Sequence, residues 1–86
     1  MPQISRFYGI VIYMYWGDHP PPHFHAHYGS DQAQVRIDPV GLLAGHLPPR
    51  ILAMVVEWAA LHRDDLLADW ELARSGISPN EIEGLP

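Results

Sequence analysis

Three consecutive prolines, Pro20-Pro21-Pro22, constrain the chain around them more than any other feature. Each fixes φ at about −65° and lacks a backbone N–H, so this stretch neither continues a helix nor fills a central strand. It reads as an extended, solvated connector. The next residues, His23-Phe24-His25-Ala26-His27, alternate with period two. As a strand they put His23, His25 and His27 on one face, with Phe24 and Ala26 on the other. Gly29-Ser30-Asp31 then offers a turn, with positive φ open to the glycine.

The flanking segments extend the β pattern. Phe7 to Trp16 (FYGIVIYMYW) is β-branched and aromatic and reads as one long strand, apolar on both faces and so central in a sheet. Gln32 to Asp38 (QAQVRID) alternates cleanly, Pro39-Val40-Gly41 is turn chemistry, and Leu42 to Leu47 makes a short further strand. Short turns between successive strands favour an antiparallel meander. Pro48-Pro49 opens a helix, and Ile51, Leu52, Val55, Val56, Trp58, Ala59 and His62 recur at helical spacing. Leu66, Leu67, Trp70 and Ala73 carry the period to Gly76, the expected stop. Helix is favoured through most of 49–75; Arg63-Asp64-Asp65 can cap a second helix or bend the first near 63–65, although no glycine or proline forces a break there.

The fold expected is α+β: an antiparallel sheet of three to four strands, followed by a long C-terminal helix or helix pair packed on one face. Residues 1–86 form a single domain, with a β-rich half (1–47), a helical half (48–76) and a tail (77–86) that docks through Ile77, Ile82 and Leu85.

Composition narrows the function. At 48% hydrophobic residues the chain is too apolar for disorder. Without cysteine, disulfides and thiolate metal sites are excluded. The N-terminus does not read as a signal peptide, and no apolar run reaches the ~18–20 residues of a membrane span. A cytoplasmic protein is the expectation. Ten acids against five arginines and no lysine give a net charge of −5. Arg6, Arg36, Arg50, Arg63 and Arg74 are spread singly, which argues against direct nucleic-acid binding.

The histidines carry the candidate chemistry. Same-face neighbours on a strand stand roughly 6.5–7 Å apart, within reach of one ion, whereas His23 and His27 are about 13 Å apart. A metal site would use His23 with His25, or His25 with His27, and complete its ligands from His19, His46, Asp18 or Asp31. Two histidines and a carboxylate suit zinc, nickel or ferrous iron. A metal-free alternative pairs the histidines with Arg36 or Arg50 to cleave a phosphodiester. The structural alternative makes His25 a packed residue bonding the backbone, with His23 and His27 solvated. Apolar positions around a wide arc of the helix point to association, because one sheet covers only one side. Asp64, Asp65, Asp69 and Glu71 read as a solvated acidic face.

Ile4-Ser5-Arg6-Phe7-Tyr8-Gly9-Ile10, the HPPPHFHA block, and Glu57-Trp58 with Trp70-Glu71-Leu72-Ala73 resemble the small prokaryotic proteins grouped as domain of unknown function family 4160. The marker residues matched are His19, Pro21, Pro22, His23, Phe24, His25 and Gly29. His27 departs from the family pattern, which commonly has a charged or aromatic residue there. The resemblance implies a compact bacterial domain, often encoded beside a second small gene as in toxin–antitoxin pairs, with no established activity. The reading the sequence favours is an interaction component of such a two-gene module, a homo-oligomer or bound to a small protein encoded nearby. Its binding residues would be His19, His23, His25, His27 and Arg36. The alternative is a small metal-binding or histidine-dependent hydrolase or nuclease, with His23 and His25 as metal ligands.

Overall fold

The computed structural model describes residues 3–86. Tyr8 and Gly9 both adopt left-handed backbone, with φ of 50° and 78°. They form a two-residue reversal that pairs Phe7 with Ile10. The segment expected as one strand over Phe7–Trp16 is therefore two: β1 (Gln3–Phe7) ends before the turn and β2 (Ile10–Tyr13) begins after it. Strand-forming residues flank the turn on both sides, so periodicity hides it. Only the glycine marks it, since a tyrosine in this region costs about 1–2 kcal/mol.

Three more strands follow: β3 (His23–Tyr28), β4 (Asp31–Ile37) and β5 (Val40–Gly45). The sheet thus has five strands rather than three to four, in the order β1-β2-β3-β4-β5, with every pair antiparallel. The last strand starts at Val40, two residues before the Leu42 expected. Its pairing with β4 jumps from Gln34–Ala44 to Val35–Leu42, so Leu43 is the extra residue of a bulge.

The helical half divides in two. Helix α1 runs Pro49–Leu61, with proline in its first turn. His62 leaves helical geometry (φ −116°, ψ 26°), and α2 occupies Arg63–Arg74. Asp64 and Asp65 at the start of α2 and Arg74 at its end match the helix dipole. Among the described residues, no helix is long and apolar enough to cross a membrane.

The core lies between one sheet face and the helices. Phe24, Ala26, Val35 and Ile12 are buried on that face. Trp58 of α1 is fully buried between Phe7 (ring centroids 5.3 Å apart) and Phe24 (5.6 Å, edge-on). The tail closes the outer edge: the Ile82 N–H donates to the Ile4 carbonyl at 2.7 Å, and the Trp58 indole N–H to the Glu83 carbonyl at 2.8 Å. Ile82 is buried and Leu85 packs against the core. The tail therefore covers the side of α1 that carries Trp58, with Met54 beside Leu85 and Pro86.

Candidate metal centre

The polar face of β3 is built by the alternation itself. Phe24 and Ala26 turn into the core, which leaves His25 and His27 half-buried on the opposite face. His23, the first residue of the strand, is buried where the sheet meets α2, its ring 5.3 Å from Trp70 and 5.2 Å from His25. The β2–β3 connector folds back so that Asp18, directly after the left-handed Gly17, stands over this end of β3.

One carboxylate oxygen, Asp18 Oδ2, lies 2.9 Å from His25 Nε2 and 3.3 Å from His23 Nε2. His23 Nδ1 lies 2.8 Å from the Pro21 carbonyl. A carbonyl only accepts, so Nδ1 carries a hydrogen and donates it. The Nε2 of a neutral His23 then turns its lone pair toward a carboxylate oxygen. That geometry is satisfied by a second proton or by a shared cation. The hydrogen bond to Pro21 also fixes the ring and its tautomer, the usual outer-shell support of a metal-binding histidine.

The ligand atoms of Asp18, His23 and His25 all lie within 4.8 Å of one another, the one such set of three among the described residues. Donors on a tetrahedral ion with bonds of ~2.0–2.1 Å stand about 3.4 Å apart, so the cluster is already near the size of a bound ion. Two histidines and one carboxylate are the donor types of the facial triads that leave coordination positions open.

Aromatic neighbours hold the cluster. Tyr15 meets the His25 ring edge-on at 4.4 Å, and burial, then Tyr13, then Asp18, push its phenol above the ordinary value. Trp70 backs His23. His27 packs on Tyr13 at 4.7 Å, and burial followed by the charge of His25 lowers its pKa, which favours neutral imidazole.

The other sequence candidates lie elsewhere. His19 is exposed in the connector, and His46 is exposed beyond β5. Asp31 pairs with Tyr28 at the far end of the β3–β4 hairpin. Arg36 sits directly across from His23, but its Nε donates to the Pro39 carbonyl at 2.9 Å, and a Cβ on Gly41 would lie 3.8 Å from its Nη2. The guanidinium thus leans over β5 and away from β3. Of the four extra ligands the sequence offered, the fold brings in Asp18. Tyr15 and Trp70 carried no site signal: the first reads as strand, the second as helix core.

A family model described as Domain of unknown function (DUF4160) matches residues 9–71, a span that contains the whole cluster and Trp70. No curated protein and no solved structure matches the chain.

Proposed function

The chain belongs to the DUF4160 family, and on that premise we propose that it binds one divalent transition metal through Asp18, His23 and His25, and acts through the positions that ion leaves open. One observation carries this reading: a single carboxylate oxygen faces two imidazole Nε2 atoms, one of which has no hydrogen to offer when neutral. A bound ion replaces that lone-pair conflict with attraction. Zinc, nickel and ferrous iron fit the donor set. With three protein ligands, at least one position remains for water or a reactant, which supports Lewis-acid hydrolysis.

Isothermal titration of metal-free protein with Zn(II) tests the reading. One ion per chain is expected. Asp18→Asn, His23→Ala and His25→Ala are expected to weaken binding by more than the roughly 10–100-fold that loss of an outer-shell partner costs. Sub-stoichiometric uptake, or a His25→Ala variant with unchanged affinity, would overturn it.

A second reading, an interaction component of a toxin–antitoxin-like gene pair, is supported by β5. That strand, VGLLAG, is an uncharged sheet edge with Leu42 and Leu43 exposed. Such an edge invites pairing with another chain. Light scattering that finds a monomer at every concentration, with and without the neighbouring gene product, would remove this reading.

A further inference from the structure

His25, one of the three candidate ligands, also borders a depression of about 180 Å³ whose other lining residues are Gln32, Ala33, Gln34, Ala44 and Gly45. Its shape follows from register. Gln34 is the direct cross-strand partner of His25 on one side and of Ala44 on the other. Directly opposed residues share a face, so the Gln34 carboxamide stands beside the His25 imidazole. The small Ala44 leaves it uncovered from the β5 side. Gln32 pairs with His27 one step along the same face, and both glutamines are exposed.

Beside the His25 imidazole, the lining consists of two alanines, a glycine and two carboxamides. Among the described residues, no carboxylate and no arginine borders the depression, and Arg36, the cation on β4, is held over β5 by the Pro39 carbonyl. Two carboxamides give donors and acceptors without net charge. A phosphate or carboxylate ligand would find no countercharge there beyond the ion, and would meet the field of a chain of net charge −5. A neutral ligand with a carbonyl or hydroxyl would find a hydrogen-bond partner beside its metal-binding atom.

From this geometry we infer that the ligand completing the metal centre is a small uncharged carbonyl- or hydroxyl-bearing molecule lying across β4, positioned by Gln34 and Gln32. The inference rests on the metal reading above, and deepens it by excluding phosphate esters as the ligand class.

The test uses full-length protein loaded with Co(II), whose visible spectrum reports both ion and added ligand. Acetamide, a carbonyl ligand that stays neutral on binding, and inorganic phosphate are the two probes. Acetamide is expected to shift the Co(II) bands and the side-chain NH₂ signals of Gln34, and to bind more tightly than phosphate. Gln34→Ala is expected to weaken it about fivefold, the size of one uncharged hydrogen bond. Gln34→Arg, on an exposed strand position, is expected to reverse the preference toward phosphate. Phosphate binding the wild-type protein more tightly, or acetamide affinity unchanged in Gln34→Ala, would overturn the inference while leaving the metal centre standing. Failure to take up Co(II) at all would overturn both.

Discussion

Asp69 shows how much one side chain can conflict with its surroundings. It is 1% exposed, its Oδ1 accepts the Asn80 N–H at 2.9 Å, and its Oδ2 has no hydrogen-bond partner among the described residues. Burial pushes its carboxyl above the ordinary 3.8, Asp65 adds to the rise, and the Asn80 N–H opposes it. The folded protein therefore holds this proton more tightly than the unfolded chain does. The contribution to stability is fully present below the unfolded value and is lost as pH rises from 3.8 through the folded one. Thermal unfolding across that window should show wild-type stability falling relative to Asp69→Asn as pH rises. Parallel curves for the two proteins would contradict the assignment. The sequence reading of Asp69 as part of a solvated face fails here because Asp69 lies on the side of α2 that meets the tail.

At the scale of elements, two close approaches set the architecture. Gly45 has φ of 82°, and a Cβ there would collide with the Gln32 carbonyl oxygen and lie 2.9 Å from Ala33 Cα. Gly45→Ala should cost at least about 2 kcal/mol, on the order of 10 °C in Tm for a domain this size. An unchanged Tm in differential scanning would show that β5 moves away freely. The second approach is the tail on β1. Ile82 is buried and tied by its N–H to Ile4, so Ile82→Ala should cost about 2 kcal/mol. A loss below about 0.5 kcal/mol, the range of ordinary surface substitutions, would mean that the tail adds no support. The tail docks through Ile82 and Leu85 and through its bonds to β1, to Trp58 and to Asp69, whereas Ile77, also expected to dock, stays exposed.

For the whole molecule, a radius of gyration of 11.5 Å is close to the roughly 12 Å of a fully packed chain of this length. A domain this small has modest reserves, so a ligand that binds only the folded state has a visible effect. Zn(II) at 100 times its dissociation constant should add about 2.7 kcal/mol. The gain should vanish with EDTA, and should be absent in His25→Ala. A zinc-dependent gain of equal size in His25→Ala would place the ion elsewhere.

Local chemistry in the sequence determined the α+β order, the strand that alternates histidine with core residues, and the helix opened by Pro49. Each depends on periodicity or on a proline's fixed φ, and neither needs a distant partner. Tyr8-Gly9 lay at the limit of that reading: the glycine was visible, but the surrounding β-rich run outweighed it. The strand count followed only from the turn. The site divides the same way. His23 and His25 share a face by the arithmetic of a strand, whereas Asp18 joins them because a nine-residue connector folds back over β3. Gln34 stands beside His25 because β4 pairs in one register rather than the next. Register and loop closure depend on contacts between residues far apart in the chain, so only the tertiary structure decided them.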